Sequence, residues 1–119
     1  MTMSQRSSFL VTGGRQREGA FSKEEWHAFD EACLVRVDAE RGTAERVVTW
    51  RTPADARPVE EPCILFKAAS WTDEGLWVCS QTEILLFERD TWEVLERISL
   101  PFMNDVHHVD VGPDGTLFV

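Results

Sequence analysis

The sequence predicts an all-β fold, and three observations support this prediction. Short apolar runs and stretches with a period of two dominate the chain. Gly, Pro and Asp separate these stretches, as they do at turns between strands. Helical segments are nearly absent, and a chain of 119 residues has room for one domain with a modest core.

Nine short strands are predicted to follow one another along the chain. Their expected positions are about residues 8–12, 33–38, 46–50, 63–69, 76–80, 84–88, 94–100, 106–111 and 116–119. A turn at residues 89–91 joins two of these strands into a hairpin. The sequence Gly112-Pro113-Asp114-Gly115 has strong turn chemistry and joins the last two strands.

A single segment, residues 22–31, has helical character. Ser22 followed by Glu25 is a capping-box pattern, and Trp26 and Phe29 lie three residues apart. The sequence therefore predicts a short helix or an ordered loop within an insertion at about residues 13–32. Residues 51–61 carry prolines and acidic residues and are predicted to form a second loop.

An internal repeat indicates how the strands are arranged. Gly75 matches Gly115 at an offset of 40, and each glycine ends an acidic turn before an aromatic-bearing strand. The tripeptide at 76–78 matches that at 117–119 at an offset of 41. A period near 40 with four short strands per unit is typical of β-propellers. The sequence therefore predicts a β-propeller fragment of roughly two and a half four-stranded antiparallel blades.

A second correspondence links the two halves of the chain. Residues 35–38 and 45–47 resemble residues 85–88 and 96–98 at offsets of 50 to 51. Propellers have about four to eight blades, so this fragment cannot close a ring alone. Because the sequence stops at Val119 inside an apolar strand, we expect one incomplete domain over residues 1–119. Such a chain is predicted to self-associate or to need further blades.

Composition and charge argue against several classes of function. The formal net charge of −9 argues against binding to a nucleic-acid backbone, which needs clusters of Lys and Arg. The longest apolar runs are too short to cross a bilayer, and the N-terminus lacks a signal-peptide pattern. Three cysteines without a CxxC pair indicate buried free thiols in a reducing compartment, so we expect a cytoplasmic protein.

The densest polar cluster supplies the candidate ligand-binding residues, Asn104, Asp105 and His107. If 106–111 is the innermost strand of a blade, these residues open it at the rim of the central channel, where carboxylate, amide and imidazole groups can hold a metal ion or polarise a carbonyl. The alternative is a structural role, because Asn and Asp before a strand commonly cap a turn. His107 and His108 point to opposite faces of a strand, so the two cannot bind one metal ion without distortion.

The second half of the chain resembles known propeller families. The segment ILLFERDTWEVLERISLP resembles the YVTN and NHL-type repeats, in which a strand ends in an acidic residue and Thr before the returning strand. The segment MNDVHHVDVGPDGTLFV is similar to the inner strands of the six-bladed gluconolactonase and regucalcin superfamily. In that superfamily an Asn-Asp pair opens the strand, and a Pro-Asp-Gly turn precedes the next one.

This resemblance implies two kinds of function. One is a propeller scaffold that binds a small molecule or a protein partner at its axial face. The other is a metal-assisted lactonase or related hydrolase that uses a divalent cation such as calcium, with Asn104 in the place of the substrate-contacting Asn. This sequence has Val106 and two histidines where that family has Gly or Ala, and it lacks a convincing counterpart of the family's calcium-binding Glu. The catalytic residues, the metal ligands and the cofactor therefore stay open.

The tryptophans are the remaining candidates for a role in packing or binding. Trp71, Trp77 and Trp92 fall at predicted blade positions, and the area that an indole ring buries predicts packing between sheets for all three. Trp26 lies in the insertion and is a candidate lid over a ligand, because loops often carry function.

Overall fold

The computed structural model describes residues 7–19, 28–57 and 63–119. Within these ranges nine strands form three antiparallel sheets. The strands are β1 (Ser8–Gln16), β2 (Phe29–Asp38), β3 (Thr43–Trp50), β4 (Ala68–Thr72), β5 (Gly75–Cys79), β6 (Ile84–Phe87), β7 (Val94–Ile98), β8 (Asp110–Val111) and β9 (Leu117–Phe118). A 3-10 turn at Ala54–Ala56 follows β3. The predicted all-β class is confirmed.

Each sheet is a meander in which strands that follow one another in sequence are also neighbours in space. The first sheet has the order β1-β2-β3, the second β4-β5-β6-β7 and the third β8-β9. All the pairings are antiparallel. In the described ranges no sheet closes on itself.

The second sheet is buried on both of its faces. Successive side chains of a strand point to opposite faces, so β5 and β6 each contribute to two cores. The first core lies between the first and second sheets and contains Ala32, Leu34, Val48, Ile64, Phe66, Leu76, Val78, Leu85 and Phe87. The second core lies between the second sheet and the segment that leads into β8, and it contains Trp77, Cys79, Ile84, Leu86, Val106 and Val109. The three sheets are therefore stacked in series.

The opening strand of the second sheet, β4, lies between its neighbours. On one side Phe66 N, two residues before β4, donates to Gly13 O at 3.0 Å. On the other side the Ser70 hydroxyl donates to Val109 O at 2.8 Å, and β4 also contacts β8 directly. The residues just before β4 and just before β8 are thereby brought to the same end of the stack.

The strand predicted at 63–69 begins later than expected. Its backbone donors are divided between two sheets, because Ile64 N donates to Phe29 O whereas Lys67 N donates to Cys79 O. Ile64 consequently makes only an isolated bridge, and the strand β4 starts at Ala68.

The strand predicted at 106–111 is wrong over most of its length. Val106 N donates to Gln81 O at 3.0 Å, and Val109 O accepts the Ser70 hydroxyl. Because these backbone groups form their hydrogen bonds with residues outside a β-ladder, regular strand pairing is restricted to Asp110–Val111. The strand predicted at 94–100 likewise ends at Ile98.

The predicted insertion at 13–32 is shorter than expected, because β1 runs to Gln16 and β2 begins at Phe29. The predicted helix is wrong for Phe29–Glu31, since these residues pair with β1. Ser22, Glu25 and Trp26 lie outside the described residues. Gly14 is required within β1, because a Cβ there would lie 2.8 Å from Leu65 Cβ and 2.9 Å from Glu31 O.

The three cysteines are free and buried, as predicted. Burial raises the pKa of the Cys63 and Cys79 thiols, which keeps them in the uncharged form. No helix in the described ranges is long and apolar enough to span a membrane.

Candidate functional site

The candidate site begins at the turn that leads into β8. Val106 N is anchored to Gln81 O in the β5–β6 turn, which fixes the residues on either side of it. Asp105 has a positive φ of 62°, a left-handed conformation that Asp tolerates better than most residues. This conformation places the Asp105 carboxylate beside Lys67, which lies immediately before β4.

Lys67, Asp105 and His107 form one hydrogen-bonded cluster, called here the Lys67 cluster. Lys67 Nζ donates to Asp105 Oδ1 at 2.5 Å. His107 Nε2 lies 2.8 Å from the same oxygen and 3.4 Å from Lys67 Nζ. The exposed fraction of the side chain rises from 15% for Lys67 to 38% for Asp105 and 70% for His107. The cluster thus runs from a largely buried cation to an accessible imidazole.

The ion pair controls the charge of the cluster. The hydrogen bond from Lys67 holds the pKa of Asp105 below its ordinary value, and the hydrogen bond to His107 acts in the same direction, whereas partial desolvation opposes both. Asp105 is therefore ionised at neutral pH, and its carboxylate orients both the ammonium group and the imidazole ring. Because Nε2 of His107 is held by this carboxylate, the second ring nitrogen is left to form a hydrogen bond with a ligand.

Asn104 belongs to a different hydrogen-bonded group. Its side-chain oxygen accepts Gln81 Nε2 at 3.1 Å, and Gln81 Oε1 in turn accepts Cys63 N at 3.2 Å. Of the three residues predicted from the sequence, the structure therefore joins Asp105 and His107 directly and holds Asn104 through Gln81.

A groove of about 560 Å³ runs beside these residues. Its polar lining residues are Asn104, Asp105, His107 and His108. The other lining residues are apolar: Ile84, Ile98, Leu100, Phe102, Met103, Val106, Leu117 and Val119. His108 is exposed and lies on the groove, together with His107. The groove therefore combines several hydrogen-bonding groups with a larger set of apolar side chains.

The arrangement of acidic, histidine and cysteine side chains bears on metal binding. No group of three or more of these side chains in the described parts of the chain is placed to hold a metal ion. Asp105 Oδ1 is already shared by Lys67 and His107. Within these ranges the cluster is suited to hydrogen bonds and ionic interactions with a ligand rather than to coordination of a metal ion.

Sequence reasoning missed two residues that build the site, Lys67 and Gln81. A lysine inside the apolar stretch at 63–69 is a signal that could have been used, because a charge there needs a partner. Gln81 has no comparable signal, since its role depends on a turn that brings Cys63 and Asn104 together.

A buried ionic network lies nearby and was also missed. The Glu83 side chain is fully buried, and its carboxylate accepts Arg97 Nε at 2.6 Å and Trp50 Nε1 at 3.1 Å. Arg97 also reaches Asp55 at 3.0 Å. The network joins the β3 end of the first sheet to β6 and β7 of the second, so it fixes the two sheets against each other.

Comparison of the chain with protein-family models, with curated proteins and with solved structures found no match.

Proposed function

We propose that this chain is part of a β-propeller and that the Lys67 cluster and the groove beside it bind a small molecule at the axial face. The observation that carries the proposal is the contact of Lys67, immediately before β4, with Asp105 and His107, in the segment that leads into the neighbouring strand β8. Opening residues of inner strands converge in this way at the channel of a propeller, where ligands bind.

Recurrent pairing supports the propeller arrangement. The β2–β3 ladder has a bulge opposite Leu34 and Val35, with Val47 of β3 as the extra residue, and the β6–β7 ladder has one opposite Leu86 and Phe87, with Leu95 of β7 as the extra residue. Leu34 packs in the first core and Leu86 in the second, so the leucine at each bulge faces the following sheet. Bulges are specific features of a fold rather than defects, so their recurrence indicates equivalent strands.

Buried carboxylates recur at the same places. Glu31 and Glu83 each lie three residues before the leucine at the bulge. Each is paired with an arginine of the next strand, Glu31 with Arg46 at 3.2 Å and Glu83 with Arg97 at 2.6 Å. β2 and β6 therefore correspond at an offset of 52 rather than the 50 to 51 of the sequence match, and β3 corresponds to β7.

The chemistry of the groove supports a small ligand with a polar end. The imidazole of His107 and the amide of Asn104 offer hydrogen bonds, and the apolar lining residues offer surface to bury the rest of the molecule. The volume of about 560 Å³ lies within the usual range for a small-molecule site, about 300–1,000 Å³.

A fragment screen monitored by protein NMR on the full chain tests this proposal. We expect hits to shift the signals of Asn104, His107 and His108, and we expect His107→Ala to abolish that binding. Because the His107 side chain is 70% exposed, the same substitution should change the free energy of unfolding by less than about 0.5 kcal/mol.

Glu45→Ala provides a matched control, since Glu45 is an exposed residue of β3 outside the groove. It should leave binding unchanged. Loss of stability in His107→Ala with unchanged binding would instead assign the cluster a structural role and reject the ligand site. Hits that shift the signals of residues over an extended surface, rather than those of the groove, would favour a protein partner.

The metal-assisted lactonase remains the second candidate, carried by the sequence resemblance at Asn104 and Asp105. In the described ranges the position beside Asp105 is occupied by the Lys67 ammonium group, which is the partner that a cation would have to displace. Titration with Ca²⁺ separates the two candidates. Shifts centred on Asp105, together with lactone hydrolysis, would favour the enzyme, and no change with Ca²⁺ would favour the scaffold.

A further inference from the structure

A second cleft lies at the opposite end of β4 from the Lys67 cluster. Trp71 lies four residues after Lys67, which is roughly 13 Å along an extended strand. The cleft has a volume of about 260 Å³ and is lined by Ser8, Phe9, Leu10, Arg36, Trp71, Arg89 and Trp92. It is therefore built from β1, β2, β4 and the turn between β6 and β7.

Two indole rings and a guanidinium group form one side of this cleft. The ring centroids of Trp71 and Trp92 are 6.1 Å apart, with the planes inclined by 49°. Arg89 Cζ lies 4.9 Å from the centroid of the Trp71 ring, and Arg89 Nη2 donates to Thr72 O at 3.1 Å. The guanidinium group is thus held in one position by a cation–π contact and a hydrogen bond.

The charge of Arg89 is not neutralised by a carboxylate in the described part of the chain, where its side chain makes no ion pair. The nearby Glu88 carboxylate is engaged elsewhere, since Glu88 Oε2 accepts the backbone N–H groups of Asp90 and Thr91 at 2.7 and 2.6 Å. In a chain with a formal net charge of −9, a fixed and unpaired guanidinium group is complementary to an anionic ligand.

Folding stability alone does not account for the two tryptophans. Trp71 is 48% exposed, which corrects the prediction that it packs between sheets. Trp92 is partly buried against the first core, but its φ of 61° is a left-handed conformation that is strained for so large a residue. Strained backbone is often kept where it positions a functional group.

We propose that this cleft binds a single-ring molecule that carries a carboxylate. The carboxylate pairs with the Arg89 guanidinium group, and the flat face of the ring stacks on exposed indole. The volume of about 260 Å³ is smaller than a drug-sized site, which restricts the ligand to about one ring. An aromatic acid and a sugar acid share this chemistry, and the experiment distinguishes them.

NMR titration of the full chain with four probes tests the proposal. Benzoate and glucuronate carry the ring and the carboxylate, whereas benzyl alcohol and glucose are their neutral counterparts. We expect at least one acid to shift the indole N–H signals of Trp71 and Trp92 while those of Trp50 and Trp77 stay in place. We also expect the matching neutral probe to bind at least tenfold more weakly. Benzoate binding assigns an aromatic acid, and glucuronate binding assigns a sugar acid.

Substitutions at the guanidinium group give an independent check. Arg89→Gln should weaken binding of the acid at least tenfold, and Arg89→Lys, which keeps the charge and loses the planar fork, should give an intermediate loss. Arg41→Gln is the matched control, because Arg41 is an exposed arginine paired with Asp38 outside the cleft. Absence of shifts at Trp71 and Trp92 with both acids, or undiminished binding by both Arg89 variants, would overturn the proposal. Neither result bears on the Lys67 cluster.

Discussion

Two residues other than glycine have a positive φ in the described ranges, and each belongs to one of the two proposed sites. Asp105, with φ of 62°, presents its carboxylate to Lys67, and Trp92, with φ of 61°, presents its indole ring to Trp71. A left-handed conformation costs a side chain about 1–2 kcal/mol. At Asp105 the ion pair and the hydrogen bond to His107 offset that cost.

The ion pair between Lys67 and Asp105 predicts how Asp105 titrates in acid. The pKa of Asp105 in the folded protein lies below its ordinary value because of Lys67. The pair therefore contributes stability above the unfolded-state pKa of about 3.9, and that contribution is lost as the pH falls through the folded-state pKa. We expect Lys67→Met to raise the pKa of Asp105, measured by NMR titration of its carboxyl carbon.

Asp30 provides the internal control for this titration. Its pKa is lowered chiefly by the hydrogen bond from Arg15, and Lys67 does not contribute. It should therefore titrate identically in the wild type and in Lys67→Met. An unchanged Asp105 titration in the variant would show that Lys67 does not set its charge.

Among the structural elements, the hairpin of β6 and β7 is joined to the first sheet by a buried ionic network. The Glu83 side chain is fully buried, and its carboxylate is held by the Arg97 guanidinium group and the Trp50 indole. A buried charge that loses its partner is costly, because neither water nor another ion replaces it. The contact of β3 with β6 and β7 is therefore sensitive to a single substitution.

We expect Arg97→Met to lower the free energy of unfolding by about 3 kcal/mol or more, because it leaves the Glu83 carboxylate buried with a single donor side chain. Arg36→Met is the matched control. Arg36 and Glu45 form an exposed pair at 2.8 Å, and loss of such a pair costs less than about 1 kcal/mol. Urea denaturation of the two variants measures both values. Equal losses would show that the buried network contributes no more than a surface pair.

The two glycines of the sequence repeat occupy comparable turns but are constrained differently. Gly75 is the first residue of β5 and Gly115 lies in the turn before β9, with φ of 143° and 85°. A Cβ on Gly75 would lie 2.2 Å from Phe87 O, whereas a Cβ on Gly115 would meet no atom within 4 Å. Gly75 is thus fixed by backbone conformation and by close approach, and Gly115 by conformation alone.

Substitution by alanine should separate these two effects. We expect Gly115→Ala to cost about 1–2 kcal/mol from the left-handed backbone. Gly75→Ala should cost roughly 3 kcal/mol or more, because the clash with Phe87 adds to the strain. Gly13→Ala should be close to neutral, since no atom lies within 4 Å of a Cβ there and its φ is not left-handed. A lower melting temperature for Gly115→Ala than for Gly75→Ala would contradict this explanation.

The whole molecule is less compact than a globular domain of the same length. The radius of gyration is 15.5 Å, above the roughly 13.5 Å expected for a compact domain of this length. The first sheet exposes Phe9 and Val11, and the far end of the stack exposes Phe102 and Phe118. Apolar surface at both ends of a stack favours association with further sheets.

We expect the chain to self-associate through these ends. Size-exclusion chromatography with light scattering should give a mass above that of one chain at high concentration. Phe102→Glu together with Phe118→Glu should shift the mass toward the monomer, because the two side chains are 81% and 59% exposed. Leu95→Glu, at a 53% exposed residue of β7, is the control for a generic gain of charge. A cooperative monomer at all concentrations would reject the prediction.

The sequence by itself determined the all-β class, the series of short strands separated by turns and the burial of the three thiols. The apolar alternation and the turn residues carry that information locally, so the ranges at 33–38, 76–80 and 84–88 were placed within a few residues of β2, β5 and β6. The polar segment at 104–107 was also found from sequence, because such a density of amide, carboxylate and imidazole groups is visible without coordinates.

The tertiary structure alone decided which of these groups act together. Lys67 and Asp105 are 38 residues apart, and Trp50 and Glu83 are 33 apart, so no local pattern joins them. The same holds for the segment at 106–109, whose backbone bonds to Gln81 and Ser70 replace the predicted strand. Trp71 was predicted to pack between sheets, but its position in the second sheet leaves it half exposed beside Arg89. Long-range packing sets these contacts, because burial and partner choice depend on how the sheets stack rather than on the order of residues along the chain.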